Sequence, residues 1–252
     1  MENINKFSIH RIGYLVLRHL KMNMQPWLIG IAATAGALLT LNIMGVITSF
    51  GSFNLETFVR FGYFIMFVGG YIFTSRIFNE LQSPAKSHFY LSLPARPEEK
   101  LISAWLISSV FFLIVSYVLI SLISLLISGV LLLFFDGTLK VFNPLSIDAL
   151  YIAAVFIITN SVFFLGSIYF KKNNFLKTIL TVFVTFVTIF TFTLILILII
   201  IKPFQYAHHS VGFQIDFAEV EYINSIISYL FWYAMAPFIL VVSYFRLKER
   251  QV

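Results

Sequence analysis

Two groups of side chains have types and spacing that chemistry could use. His208, His209 and Asp216 offer imidazoles and a carboxylate, good ligands for a divalent metal. Adjacent residues on a helix or strand point apart, however, and no third spaced ligand accompanies them. The pair reads better as part of an exposed loop. Glu98 and Glu99 form the one acidic doublet that could serve acid–base work. They follow Pro97 at the start of a long apolar run, where acids complement a helix N-terminus. The chain has no cysteine, so thiol nucleophiles and zinc ribbons are excluded. It contains no Gly-x-x-x-x-Gly-Lys-Ser/Thr phosphate cradle, so nucleotide hydrolysis is not expected of this chain. The serines suggest no Ser-His-Asp grouping. No catalytic residue, bound cofactor or metal is therefore expected.

The elements around these residues are apolar. Of 252 residues, 60% are hydrophobic and 11% charged, with 30 Phe and 12 Tyr; mean hydropathy is +0.92. A soluble enzyme is excluded, as is a disordered tail. A bilayer core about 30 Å thick calls for a helix of roughly 20 apolar residues. Runs at about 26–50, 58–78, 101–135, 147–170, 175–201 and 226–245 meet that requirement. Barrel strands would alternate in polarity, and Thr193–Ile201 is apolar nearly throughout. The expected fold is one all-α membrane domain over 1–252 with six spans.

Residues 1–25 carry Lys6, Arg11, Arg18 and Lys21 within an amphipathic pattern. Phe7, Ile9, Ile12, Leu15, Val16 and Leu20 fall roughly on one helical face. No short apolar core precedes a cleavage site, so a helix lying in the headgroup layer is expected rather than a signal peptide. Of the 17 Lys and Arg, only Arg60, Lys140 and Lys202 fall on the side opposite the N-terminus. The positive-inside rule then puts both termini in the cytoplasm. It also explains the pI of about 9.5 without nucleic acid.

No acidic residue lies near a span centre. Buried carboxylates are the usual means of coupling transport to protons or sodium, so an energy source outside this chain is expected. Polar residues within the spans are uncharged. Thr178, Thr181, Thr185, Thr188 and Thr191 recur at helical spacing in the fifth span, and Tyr117, Ser121, Ser124 and Ser128 in the third. Asn42 and Asn160 are the strongest single polar residues. Such faces suit helix packing; alternatively Thr181, Thr185, Thr188, Asn42 and Asn160 line a pathway or a subunit seam. Pro237 is expected to kink the sixth span.

The connection from Ile77 to Lys100 is the most informative. Ser83-Pro84 signals a helix start and Pro94 its end. The resulting short helix, about Ser83–Leu91, offers Phe89 and Tyr90 among flanking charges, a form suited to docking in a partner's groove. Pro97 starts a further helix; if continuous to Phe135 it is about 58 Å long and must either overshoot the bilayer or break.

The chain resembles the permease subunit of ABC-2 type transporters over nearly its whole length. The resemblance rests on the amphipathic lead-in, the six spans, Phe78-Asn79-Glu80-Leu81, Leu91-Ser92-Leu93-Pro94-Ala95-Arg96, and the basic turn Lys171–Lys177. It implies an ATP-driven exporter in a bacterial cytoplasmic membrane. Two permease chains, identical or related, would enclose one pathway. A separate ATP-binding subunit, holding ATP and magnesium, would dock on Glu80, Ser83, Lys86, His88, Phe89, Tyr90 and Arg96. Segment 203–225 would correspond loosely to the family's short external helices. Other readings are a non-transporting membrane binding or immunity protein and a lipid-modifying enzyme using His208, His209 and Asp216.

Overall fold

The computed structural model describes residues 7–22, 24–48, 54–82, 84–134, 140–207 and 217–250. Among them the chain is helical, with no strand. In order, the helices are α1 (Ile9–Met22), α2 (Met24–Thr48), α3 (Leu55–Ser75), α4 (Pro84–Leu91), α5 (Pro97–Trp105), α6 (Phe112–Phe134), α7 (Ile147–Tyr169), α8 (Asn174–Ala207) and α9 (Phe217–Glu249). A 3₁₀ turn, Asn79–Gln82, precedes α4, and a π segment, Leu106–Phe111, joins α5 to α6. Five stretches among the described residues are long and apolar enough to cross a membrane: Met24–Gly45, Leu55–Ser75, Pro97–Leu133, Ile147–Tyr169 and Asn174–Ile199. They correspond to the first five expected runs. Helix α9 covers the sixth run and continues without interruption past Pro237.

Local signals set the helix ends. Asn54 Oδ1 accepts the Thr57 N–H at 3.2 Å to start α3, and Ser146 Oγ accepts the Ala149 N–H at 3.2 Å to start α7. Glu99 reaches back to the Arg96 N–H at 3.0 Å to start α5. The chain reverses between α7 and α8 through Asn173, whose φ of 53° lies in the left-handed region that asparagine tolerates.

The long Pro97 helix neither breaks nor stays regular. The Phe112 N–H reaches past its α-helical partner, Ser108, to Ile107 O and Ser109 O. The Ser108 carbonyl instead accepts from Asn160 Nδ2 at 3.1 Å and Thr74 Oγ1 at 3.3 Å. One extra residue in the turn thus aims a backbone acceptor sideways and ties α3 and α7 to the π segment.

Lipid tails are as apolar as leucine, so close packing rather than water exclusion holds such spans together. One core unites Phe58 and Met66 of α3, Ile120, Ile123 and Ile127 of α6, and Phe156 of α7. Gly70 lets α3 approach α7 closely: a Cβ there would stand 2.5 Å from the Phe156 ring. Tyr71 stacks on Phe163 at 4.2 Å and donates to Thr159 Oγ1 at 2.8 Å. Helix α8 is fixed at its foot. Asn174 Nδ2 donates to Ser75 O and Ser167 O, each at 3.2 Å, and Thr178 sits against Gly166. From Ile179 to Ile199 its side chains are exposed, a surface that only a bilayer or another apolar chain could cover.

Candidate functional site at the charged end of the bundle

A second core forms where α1, the 3₁₀ turn, α4, α5 and the ends of α7 and α9 meet. It contains Phe78, Leu81, Tyr90, Leu101, Ile107, Phe164 and Leu247. Arg11 and Arg18 of α1, Arg96 and Lys100 before and within α5, and Arg246 of α9 are all held at this end of the bundle.

Helix α4 follows directly from the turn chemistry of its flanks. Pro84 occupies its first position, and the Ser92 N–H closes it on His88 O at 2.9 Å before Pro94. Its aromatic pair divides. Phe89 is 76% exposed, whereas Tyr90 is 1% exposed. The expectation that both aromatics face outward is therefore corrected: adjacent helical positions lie 100° apart, and Tyr90 is the one turned into the core. Its ring meets Phe78 and His19 edge-on, both at 6.2 Å. Arg18 and Lys100 approach its face at 5.7 and 5.6 Å. The Tyr90 hydroxyl finds no hydrogen-bond partner among the described residues, and burial, then Glu80, pushes its pKa well above the ordinary value.

Carboxylates lock this junction. Glu99 is fully buried and accepts from the Ser8 N–H and Arg11 Nη2, each at 2.9 Å, besides capping α5. Arg18 pairs with Glu80 at 2.8 Å. Glu98 pairs with Arg96 at 3.1 Å and accepts from the Tyr244 hydroxyl at 3.1 Å, which joins α5 to α9. Arg11 and Arg18 stand seven residues apart, two turns along one face of α1. Ile12 and Leu15 between them, and His19 just after, are buried. The apolar face expected for the lead-in is thus divided: Ile12 and Leu15 pack inward, while Phe7 and Ile9 stay exposed. Burial holds the His19 pKa below its ordinary 6.5, with Glu80 raising and Arg18 lowering it by smaller amounts.

Of the residues singled out in the sequence, Glu80, Tyr90 and Arg96 lie within this junction. His88 and Phe89 are exposed on α4. Lys86 belongs to α4, and Ser83 lies outside the described residues. Asn42, Asn160 and the α8 threonines are not brought together. Asn42 donates to Leu38 O of its own helix at 2.7 Å. Asn160 is buried against the π segment, donating to Ser109 Oγ at 3.0 Å as well as to Ser108 O. Thr181 and Thr188 donate to their own helix, to Lys177 O and Val184 O, and with Thr185 are exposed. His208, His209 and Asp216 lie outside the described residues. Among those described, no three or more His, Asp or Glu could hold a metal.

The participants that the sequence did not single out are Arg18 and His19, together with the clamping role of Arg11 and Glu99. The seven-residue spacing of Arg11 and Arg18, which puts both on one face of an amphipathic helix, was the available signal. Through Tyr90 the assembled site packs the short helix α4 against α1 and the start of α5. Comparison of the chain with protein-family models, curated proteins and solved structures found no match.

Proposed function

We propose that this chain is the membrane-spanning subunit of an ATP-driven ABC exporter. It forms half of a translocation pathway, and a separate ATP-binding subunit does the hydrolysis with its own ATP and magnesium. The observation that carries the reading is the split of α4, with Phe89 outward and Tyr90 buried among Arg18, His19, Phe78 and Lys100. A partner pushing on Phe89 displaces Tyr90, and Tyr90 rests on both α1 and the start of the Pro97 rod. Motion outside the membrane is thereby delivered to a span. A connector without a mechanical task has no need of such a buried anchor beneath an exposed tip.

The same reading assigns six spans, with α9 as the sixth. It places both termini and the basic end in the cytoplasm of a bacterium, with the membrane as the inner one. The clustering of basic residues at the α4 end supports that orientation. The exposed length of α8, with Thr181, Thr185 and Thr188, is assigned to the seam with a second permease chain. Function is tested by copurification. A soluble ATPase is expected to accompany the chain in stoichiometric amount, and Phe89→Ala is expected to release it while the chain stays folded. An unaltered complex in that variant counts against the α4 assignment.

A further inference from the structure

The apolar groove between α2, α3 and α6 has a cavity of about 420 Å³, within the range of small-molecule sites. Ile31, Leu38, Met66, Phe73, Phe112 and Leu119 are among its walls. A second, polar cavity of about 550 Å³ adjoins it, lined in part by Asn79, Gln82, Asn173 and Asn174. Ile72, Arg76 and Asn79 line both. The two together have the form of an amphiphile, an oily slot opening onto a polar shelf.

Three polar groups at this junction lack partners among the described residues. The first is Arg76. Arg11, Arg18, Arg96 and Arg246 each hold a carboxylate at the same end, whereas the exposed Arg76 side chain has no ion pair among the described residues. The second is the Trp27 Nε1–H, buried without an acceptor; its ring is held edge-on against Phe73 at 4.5 Å. The third is Asn174 Oδ1, on a residue 4% exposed. The orientation of that amide is fixed, because its Nδ2 donates to two carbonyls and an oxygen could not. A cation, an N–H donor and a buried acceptor, beside an oily slot, match a phosphate, an ester carbonyl, a headgroup hydroxyl and an acyl chain.

We propose that this groove binds one anionic glycerophospholipid with a hydroxyl-bearing headgroup, its phosphate on Arg76 and an acyl chain along α2, α3 and α6. The proposal does not depend on transport, since a resident lipid would occupy the groove in any membrane protein with this geometry.

The probe is Trp27 fluorescence in the full chain carrying Trp105→Phe and Trp232→Phe, reconstituted with brominated lipids. Brominated phosphatidylglycerol is expected to quench Trp27 at a mole fraction about fivefold below that required of brominated phosphatidylcholine. Arg76→Gln should erase that preference without lowering the melting temperature, because the side chain is exposed. Arg76→Lys should keep most of it. Gly30 lines the slot and a Cβ there would meet nothing within 4 Å, so Gly30→Leu should occupy part of the slot and reduce quenching by both lipids. Equal quenching by the two lipids in the parent protein overturns the proposal, as does a preference that survives Arg76→Gln. Displacement of the brominated lipid by inorganic phosphate would assign the cation to a soluble anion and overturn it equally.

Discussion

Arg11 and Glu99 lie 88 residues apart in the chain and 2.9 Å apart in the fold. The carboxylate is fully buried and the guanidinium partly so. A buried pair adds little over a well-packed apolar substitute, but removing one partner strands the other. Glu99→Ala is therefore expected to cost about 3 kcal/mol, freeing both the Ser8 N–H and Arg11 and loosening α1 from α5. Thermal melting in detergent and tryptic cleavage at Arg11, Arg18 and Lys21 measure the two effects. Replacing both residues by Met and Leu should recover much of the loss.

Tyr90 gives a second test because its ring and its hydroxyl have opposite effects. The ring fills the junction beneath α4, so Tyr90→Ala should cost about 3–5 kcal/mol through the cavity it opens. The hydroxyl is buried and unpartnered among the described residues. Tyr90→Phe should then be neutral or stabilising. A large loss in the Phe variant would mean that the hydroxyl is satisfied after all.

His19 makes the junction sensitive to acid. Its folded pKa is held below 6.5, so the native state keeps it neutral where the unfolded chain takes up a proton. Below about pH 6.5 the unfolded state binds more protons, and stability falls as pH falls. Above that value the contribution is constant. The groups facing His19 are Arg18 on its own helix, Glu80 on the 3₁₀ turn and Tyr90 on α4. The melting temperature is expected to drop between about pH 7 and pH 5.5, and His19→Phe should remove most of that slope. An identical slope in the variant would transfer the effect to carboxylates.

How much of this was legible in the sequence follows from range. The run Asn174–Ile199 announces its length locally, and so do Asn54, Ser146 and Pro97 as helix starts. The division of Phe89 from Tyr90 was not legible, because either neighbour could face inward until α1 supplies Arg18 and His19. Arg18 and Glu80 are 62 residues apart, and no local pattern pairs them. The long Pro97 run could be recognised as too long for the bilayer. The π turn that adjusts its register depends on Asn160 and Thr74, which arrive from other helices.

The exposed face of α8 gives a prediction about assembly. The chain has no cysteine, so Thr185→Cys introduces a single thiol. On the proposed pairing of two identical chains, oxidation in native membranes is expected to link two copies through it. Val118→Cys, exposed on α6, serves as a control for random collision and should stay monomeric. Equal cross-linking at both positions would remove α8 from the seam.

Asn160 separates packing from passage. Its amide satisfies a carbonyl that the π segment has turned away from its own helix, so its role is to hold α7 against that turn. Asn160→Leu should cost about 1 kcal/mol, the ordinary worth of a hydrogen bond between spans. Asn160→Asp should cost more, because the new group must either bury a charge or take up a proton. Thermal melting of the two variants checks the order. If, on the proposed transport reading, Asn160 instead touched cargo, Asn160→Leu would change solute handling in vesicles holding the chain with its copurified ATPase while its melting temperature stayed at the parent value. A fall in melting temperature with solute handling retained is the expected result, because the side chain is fully buried and its donors are already committed to Ser108 and Ser109.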